Sequence, residues 1–535
     1  MNREKELKAV EEIHQASLKI LNEIGIKFGL DEVNEIFKKN GFRQEDGRTF
    51  FTEEQVMHAL DIATKEFTMY GRDEQYSINV NTTDVNYTPG YGSPMITNRD
   101  GSVRNATFDD FLTMANLFHM EKSYDINGGI LVQPYDIEAE ISIPAMVYAT
   151  IKRSSKVLFG IQGDEKDQEN IFKILEIAFG GKEKLKEKYR YIVLSTPTSP
   201  LKMDRNALYT LMKGCEYNQP IAVCSACMPG STAPVTIAGA VAMCNAEMLA
   251  GIVLTQLINP GNPVMYLFAS YGSNVQSGNA SIGTPELIKA GRYGSLLAKK
   301  YGLACRSGGG LSDAKGVTAQ AGIETAMCLM HSNFYKANIV MHSAGILDSF
   351  ATMSYEKLML DFEVIDRLAN YMEDIEVSDK TLAIDTLKKV VETEGIFLNQ
   401  KHTVKNCRKA YIPQVSLRTN LPEGMDPNEQ LYDSMQARMD KQLAAYVKPE
   451  LDSEIEKQLD DFMLSIGMKQ EDIDIFPLSS VFFIKEFIIP LPGNTVGIYT
   501  IAISSFLHFI KKHRGTKYLT HHRLNLAPLH LFCSP

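Results

Sequence analysis

Short apolar runs alternate with amphipathic stretches along much of the chain. Val264–Ser270 and Leu303–Ser307 are apolar runs that end in turn-forming residues, which is typical of parallel strands covered on both faces. Between them, Thr284–Ala298 begins with a capping threonine and a proline at the first helical position, so the pattern predicts a helix. Together they predict a β-α-β unit followed by the glycine-rich loop Gly308–Lys315. Substrates of parallel β/α folds bind at this carboxyl end of the strands.

The alternation continues over about 250 residues, a length that matches a closed (β/α)8 TIM barrel. The predicted strands are Ile126–Val132, Lys156–Ile161, Tyr191–Ser195, Ile221–Cys224, Val264–Ser270, Leu303–Ser307 and Asn338–Met341. Amphipathic or small-residue helices are predicted between them, for example at Thr107–Phe118 and Thr236–Leu257. A doubly wound parallel sheet is the alternative, but no G-x-G-x-x-G follows the first strand, so dinucleotide binding is not expected.

The pattern divides the chain into four regions. The pattern predicts that residues 1–106 form a helical lead-in with a small strand insert and that residues 107–353 form the barrel. Residues 354–474 are helix-rich and acidic, which indicates a helical arm packed outside the barrel. Residues 475–535 contain one acidic residue, Glu486, and five of the eleven histidines, and we expect a weakly ordered tail without catalytic function.

Composition and charge exclude several classes of function. The net charge of −10 argues against nucleic acid, whose phosphates need a basic surface. The chain begins with a charged stretch rather than a signal peptide, and eight cysteines in 535 residues suggest reduced thiols, so we expect a cytoplasmic protein without disulfides. The apolar run Val496–Ile510 is too short to cross a bilayer comfortably, so no membrane contact is expected.

Two polar residues at predicted strand ends are the best candidates for binding a substrate. Arg306 lies within its predicted strand or at its end, where a buried cation needs an anionic partner, either a substrate carboxylate or an internal Asp or Glu. His342 follows the strand Asn338–Met341, so its side chain is expected at the barrel mouth, although a structural histidine is an equal alternative.

Aromatic residues and a pair of cysteines also lie near predicted strand ends. Most such aromatics belong to a core, but two or three could enclose a quaternary ammonium, with each contact contributing about 0.5–2 kcal/mol. The aromatic candidates are Tyr91, Phe159, Tyr266, Phe268 and Tyr271. Cys224 and Cys227 form a C-x-x-C motif, but no second pair lies at metal-binding spacing, so buried structural cysteines are favoured over zinc or redox chemistry.

The loop sequence G-G-L-S-D-A-K resembles the trimethylamine methyltransferase family. The matching stretches are Gly309–Lys315, Asn245–Glu247, Gly251–Leu254, Ser195–Leu201 and Gly283–Leu287. The resemblance extends in order over residues 5–474 and does not include the tail. Archaeal trimethylamine enzymes of this family have pyrrolysine before S-D-A-K, where this chain has Leu311. The chain therefore resembles the non-pyrrolysine branch, whose known activities include demethylation of betaines.

The resemblance implies transfer of a methyl group from a quaternary amine, with glycine betaine as the first guess, to the Co(I) of a corrinoid (cobalamin). A quaternary ammonium releases a neutral tertiary amine, so no residue needs to transfer a proton and Leu311 can simply shape the pocket. None of the eleven histidines has Asp two residues before it, as the cobalamin motif D-x-H-x-x-G requires, so a separate cognate corrinoid protein is expected to carry the cofactor. The expected substrate-binding residues are Tyr91, Phe159, Glu247, Phe268, Tyr271, Arg306, Gly309, Gly310 and His342. A homo-oligomer is also expected.

Two other functions remain open. A zinc-dependent methyltransferase on a similar barrel is disfavoured by the sparse Cys and His ligands, and no metal is expected. A betaine-binding or sensor protein without catalysis would need the same aromatic residues and the same carboxylate ligand.

Overall fold

The computed structural model describes residues 3–269, 272–274 and 278–474, together with the strands Glu486–Pro490 and Val496–Thr500. The chain forms two compact units, Met1–Ser479 and Ser480–Pro535. In the second unit the two strands pair in antiparallel register. The rest of the predicted tail lies outside the described residues.

Two parallel sheets form the centre of the first unit. Their strands are β1 Asn86–Tyr87, β2 Ile126–Gly128, β3 Val157–Phe159, β4 Tyr191–Ser195, β5 Ile221–Val223, β6 Val264–Tyr266, β7 Arg306–Gly308 and β8 Ile339–Met341. One sheet has the order β6-β5-β4-β3-β2 and the other has the order β7-β8-β1. The predicted α/β class is confirmed, and a strand overlaps each of the seven predicted strand positions. β1 lies in the predicted strand insert and was not predicted as a strand of the parallel sheets; it ends 20 residues before the predicted start of the barrel at residue 107.

Parallel bridges join the edges of the two sheets. Tyr266 of β6 bridges Cys305, next to β7, and Tyr87 of β1 bridges Tyr124, just before β2. Alternate residues of the strands enter different apolar clusters, since successive side chains of a strand point to opposite faces. The inner cluster includes Phe159, Ile192, Leu194, Ala222, Met265, Ala304, Ile339 and Met341, whereas residues such as Val193 and Val223 belong to the larger cluster that includes the helices.

Helices connect and surround the strands. The helices up to the end of β8 are α1 Arg3–Glu23, α2 Asp31–Lys39, α3 Glu53–Ile62, α4 Phe108–Met120, α5 Ala139–Arg153, α6 Glu165–Phe179, α7 Lys182–Glu187, α8 Arg205–Glu216, α9 Ile237–Ile258, α10 Pro285–Tyr301 and α11 Ala319–Phe334. Their ends carry ordinary capping interactions: the Thr107 side chain accepts a hydrogen bond from the Asp110 N–H, and Gly302 ends α10 in a left-handed conformation. These local signals fix where the connecting helices begin and end.

Helix α9 is apolar on all sides. By length and hydropathy it could cross a membrane, but 83% of its most apolar stretch is buried in the fold. It packs against α1, α3 and α10, which explains why it has no polar face.

The helical region after β8 contains seven helices within residues 355–474. They are α12 Tyr355–Met372, α13 Asp379–Leu382, α14 Ile384–Glu392, α15 Lys401–Asn406, α16 Pro427–Ala445, α17 Ser453–Ser465 and α18 Gln470–Asp474. Helix α16 packs on α4 and α12, and the buried Arg438 of α16 contacts Glu121 at the end of α4 at 2.9 Å. These contacts pack the helical region after β8 against helices that surround the sheets.

Short strands complete the first unit. The pairs are Arg43–Glu45 with Arg48–Phe50, Phe67–Met69 with Ile78–Val80, Met95–Thr97 with Val103–Asn105, Gly272–Asn274 with Asn279–Ser281, Ile346–Leu347 with Thr352–Met353, and Lys27–Phe28 with Lys202–Met203. The hairpin formed by Gly272–Asn274 and Asn279–Ser281 follows β6 and contributes Ala280 to the cavity described next.

Candidate active site

A cavity of about 370 Å³ lies at the carboxyl ends of the parallel strands. Its lining residues come from strand ends and from the loops that follow them, and they are Tyr91, Leu194, Thr196, Cys224, Ala226, Ala269, Ala280, Arg306, Met341, His342 and Phe350. Most of these side chains are apolar, and a small number of polar groups point into the cavity, as in typical small-molecule sites. The sequence predicted three of them as substrate-binding residues: Tyr91, Arg306 and His342.

A larger cleft, of about 780 Å³, lies elsewhere on the molecule. It is lined by residues on the outer helices, such as Gln168 of α6 and Tyr209 of α8, rather than by strand ends. The smaller cavity is therefore the better candidate, because ligands of parallel β/α folds bind at the carboxyl ends of the strands.

Arg306 carries the positive charge of this cavity. It is the first residue of β7 and is 3% exposed. One Nη donates a hydrogen bond to the main-chain oxygen of Phe268 at 3.3 Å, whereas the buried Nε has no hydrogen-bond partner. Within the described part of the chain no carboxylate lies in ion-pair distance of this guanidinium. A buried cation without a counter-charge is costly, so the site is suited to an anionic group supplied by a ligand.

His342 lies immediately after β8 and also lines the cavity. Its backbone has φ of +53°, and its N–H donates to the Pro89 carbonyl at 3.1 Å. Burial, and after it the charge of Arg306, lowers the pKa of His342 well below its usual value, so the imidazole is neutral. Its buried Nδ1 has no hydrogen-bond partner. The neutral ring has one N–H to offer to a ligand acceptor.

Two aromatic rings flank His342. The Phe350 ring lies edge-on to the imidazole with a centroid distance of 4.8 Å, and the Tyr91 ring does so at 6.5 Å. The Tyr91 hydroxyl accepts a hydrogen bond from the Gln162 N–H at 3.3 Å, which helps to fix the ring. Phe350 was not predicted from the sequence. It follows Asp348 and Ser349 in a loop in which all three residues have positive φ.

Phe159 and Phe268 are buried next to lining residues but do not line the cavity themselves. A methyl group on Gly129 would lie 3.3 Å from the Tyr91 ring and 3.5 Å from the Phe159 ring, so these rings meet at one glycine. Phe268 packs closely against Gly294 and presents its carbonyl to Arg306. Tyr271 lies outside the described residues, and Tyr266 is buried in the larger cluster.

Glu247 connects two loops near the cavity without lining it. Its carboxylate accepts hydrogen bonds from the Ser199 hydroxyl at 2.8 Å, the Ser225 hydroxyl at 2.6 Å and the Leu201 N–H at 2.7 Å. Burial raises the pKa of Glu247. The observed contacts hold the loops after β4 and β5 together, and direct substrate binding by Glu247 stays a prediction.

The glycines of the predicted loop allow a close approach between two loops. A methyl group on Gly309 would lie 2.4 Å from Ser343 Cα, and one on Gly310 would lie 2.6 Å from the Ser343 carbonyl oxygen. Leu311 is 2% exposed and covers Gly308, outside the set of residues that line the cavity. The roles predicted for Gly309, Gly310 and Leu311 at the substrate stay predictions.

The C-x-x-C motif lies partly in the cavity wall. Cys224 lines the cavity, Cys227 is buried, and burial raises the pKa of the Cys224 thiol. Among the residues that the structure describes, no group of three or more His, Cys, Asp or Glu side chains is placed to hold a metal ion. Cys224 therefore contributes a small apolar surface to the wall.

Comparisons with known proteins match most of the chain. The model of the trimethylamine methyltransferase (MTTB) family matches residues 5–468. A glycine betaine methyltransferase of Desulfitobacterium hafniense (strain Y51) is 39% identical over 459 residues, which cover 86% of this chain and 96% of the relative. A proline betaine:corrinoid methyltransferase and an L-carnitine:corrinoid methyltransferase of Eubacterium limosum are 32% and 30% identical, and each match covers 69% of this chain and 78% of the relative. The crystal structure of the Methanosarcina barkeri monomethylamine methyltransferase MtmB matches 82% of this chain and 93% of its own, with 13% identity and a TM-score of 0.45.

Proposed function

The chain belongs to the trimethylamine methyltransferase family, and on that premise we propose that it transfers a methyl group from a betaine-type quaternary amine to the Co(I) corrinoid of a separate protein. Glycine betaine is the first substrate to test, since the relative that acts on it covers most of the chain. The observation that carries the proposal is the buried guanidinium of Arg306, which faces an otherwise mainly apolar cavity without a carboxylate partner among the described residues.

The cavity offers two unlike subsites, as a betaine requires. Arg306 and the neutral His342 can donate hydrogen bonds to a carboxylate, and Tyr91 and Phe350 offer aromatic faces to the ammonium group. Trimethylamine would leave Arg306 without an anion, and an unpaired buried group costs about 1–3 kcal/mol, or more when it is charged. The arrangement therefore favours betaines over trimethylamine.

The residues of the cavity position a substrate and exclude water. The Co(I) corrinoid of the partner protein supplies the nucleophile that accepts the methyl group. The electron pair of the broken C–N bond stays on nitrogen, so the demethylated product leaves with a neutral tertiary amine nitrogen and its carboxylate unchanged, and no side chain has to deliver a proton. Arg306 and His342 would hold the carboxylate, so that one methyl group points toward the open ends of the strands. The apolar walls would limit the access of water.

We propose that the two parallel sheets form a closed (β/α)8 barrel. The bridges Tyr266 to Cys305 and Tyr87 to Tyr124 support closure at both seams, and the inner apolar cluster supports a filled interior. In this arrangement β1, at Asn86–Tyr87, is the eighth strand. The cavity would then lie at the mouth of the barrel, where the corrinoid protein would approach. A cytoplasmic location and a homo-oligomer belong to the same proposal.

The test is methylation of a cognate corrinoid protein. The change in absorbance as Co(I) becomes methyl-Co(III) measures the reaction. Glycine betaine, proline betaine, carnitine, γ-butyrobetaine and trimethylamine are supplied in parallel, and we expect a betaine to be the best donor. Trimethylamine as the best donor would contradict the substrate class. Binding of a betaine without methyl transfer would instead favour a binding or sensor protein.

A further inference from the structure

A fully buried ion pair lies behind the two loops that follow β7 and β8. Lys357 and Asp361, one turn apart on α12, have 0% side-chain exposure and an N–O distance of 2.5 Å. Lys357 Nζ also donates to the Gly310 carbonyl at 3.3 Å and to the Thr325 hydroxyl at 2.8 Å. Asp361 Oδ2 accepts a hydrogen bond from the Gly345 N–H at 2.8 Å. The ion pair therefore forms a hydrogen bond with one main-chain group in each of the two loops.

These two loops lie close in sequence to the two cavity residues that are proposed to bind the carboxylate. Gly310 lies four residues after Arg306, and Gly345 lies three residues after His342. His342 has a positive φ, a conformation that is unfavourable for a non-glycine residue and persists only where neighbouring contacts hold it. The hydrogen bond that the Gly345 N–H donates to the Asp361 carboxylate is one such contact, and the packing of Gly309 on Ser343 links the two loops directly.

Stability alone does not explain a pair in this position. Removing two charges from water is expensive, and buried ion pairs can often be replaced by apolar residues of similar volume without loss of stability. What apolar residues cannot supply is the donor for Gly310 and the acceptor for Gly345. We propose that Lys357 and Asp361 are positioning residues that set Arg306 and His342 for the substrate carboxylate, an inference that rests on the proposed function.

Paired variants separate positioning from folding. Lys357→Met with Asp361→Leu removes both charges and both main-chain contacts while keeping apolar bulk. Lys357→Gln with Asp361→Asn removes the charges but keeps a donor and an acceptor. The control is Arg438→Met with Glu121→Leu, since that pair has similar burial, at 3% and 6% side-chain exposure. Arg438 joins α16 to the end of α4 and to Asp366 of α12, and neither contact is with the loops after β7 and β8.

Two measurements are made on each variant of the full chain. Hydrogen–deuterium exchange reports the opening of residues 309–316 and 342–347, and kinetics with glycine betaine report KM and kcat. For the apolar pair we expect faster exchange in both loops and a roughly tenfold rise in KM that exceeds the fall in kcat, because the carboxylate contacts are displaced. The Gln–Asn pair should restore both measurements to near wild-type values.

The proposal is overturned if the apolar pair has the same exchange rates and the same KM as wild type. It is also overturned if the control pair changes both quantities as much as the apolar pair does. If the apolar pair does not fold, Thr325→Val removes one hydroxyl from the cluster, and unchanged exchange at Gly345 in that variant would likewise contradict it. Hydrogen exchange needs no turnover. If wild-type protein transfers no methyl group from any quaternary amine, the proposed function fails while the exchange experiment still decides whether the pair holds the loops.

Discussion

Arg306 on β7 and His342, directly after the neighbouring parallel strand β8, line the same cavity. Arg306 pairs with Ile339 at the start of β8, and His342 follows the last residue of that strand. Burial and the nearby guanidinium together keep the imidazole neutral, so a permanent positive charge lies beside an uncharged donor. A carboxylate placed between them would meet both.

The neutral state of His342 makes stability depend on pH. Its pKa in the folded chain lies below the ordinary value, so below about pH 6.5 the unfolded chain takes up a proton that the folded chain does not. Stability contributed by this residue is therefore full above about pH 6.5 and falls as the pH drops, by up to about 1.4 kcal/mol per pH unit. His119 and His331, each with a pKa lowered to about 4, act in the same direction.

We expect His342→Gln to weaken the fall in stability between about pH 6.5 and pH 5. Urea unfolding at a series of pH values measures the slope, and His58→Gln is the control because His58 is exposed. An equal slope in wild type and in His342→Gln would show that His342 is protonated in the folded protein or does not stay buried.

Replacing Arg306 should separate stability from function. Arg306→Met removes a buried charge that has no carboxylate partner among the described residues, so we expect the ligand-free variant to be at least as stable as wild type. The same variant should lose about tenfold or more in kcat/KM for glycine betaine, equivalent to about 1.4 kcal/mol. Arg306→Lys should recover part of the loss, because a lysine keeps the charge but not the planar pair of donors.

Thermal unfolding with and without glycine betaine completes this test. A ligand at 100 times its Kd stabilises the folded state by about 2.7 kcal/mol, and we expect that stabilisation in wild type but not in Arg306→Met. Arg205→Met, at an exposed position, is the control. If Arg306→Met unfolds readily and still uses glycine betaine normally, Arg306 serves the fold rather than the substrate.

Much of the fold could be predicted because its signals are local. A buried run such as Tyr191–Ser195 and a cap such as Thr107 are complete within a few residues, and both were found at the predicted places. The place of the strand Asn86–Tyr87 in a parallel sheet could not be predicted, since two residues among turn formers have no periodicity. Its pairing with β8 depends on a partner about 250 residues away.

The candidate site could be predicted only where it follows from strand ends. His342 occupies such a position, and Arg306 lines the cavity from the first residue of β7. Phe350 reaches the cavity from a loop and Ala280 from a short hairpin strand, and the sequence does not reveal the course of either segment. A matched motif also does not say whether a residue contacts a ligand or a neighbouring loop. Glu247 belongs to such a motif, and its observed contacts are with the loops after β4 and β5.

Substitutions of Leu311 test whether the residue before Ser312 has a chemical role. The side chain is buried over Gly308, and Leu311→Met conserves its volume, so we expect a loss of stability below about 1.5 kcal/mol and nearly unchanged methyl transfer. Leu311→Ala should cost about 2–5 kcal/mol in stability because it leaves a cavity. Denaturant unfolding and the corrinoid methylation assay measure the two effects. Loss of transfer in Leu311→Met at normal stability would mean that the residue does more than fill space.

The contact between Gly309 and Ser343 predicts a sharp effect of one methyl group. In Gly309→Ala the new Cβ would lie 2.4 Å from Ser343 Cα, and a backbone atom cannot move aside as a flexible side chain can. We expect a loss of stability of about 1–3 kcal/mol, as for other overpacked sites, and a fall in kcat/KM for glycine betaine because His342 precedes Ser343. The control is Gly322→Ala on α11, where nothing lies within 4 Å of the added methyl group and alanine should stabilise the helix by about 0.5–1 kcal/mol. If Gly309→Ala and Gly322→Ala have the same stability and the same kcat/KM for glycine betaine, the loops after β7 and β8 are not in the close contact that places His342 beside Arg306.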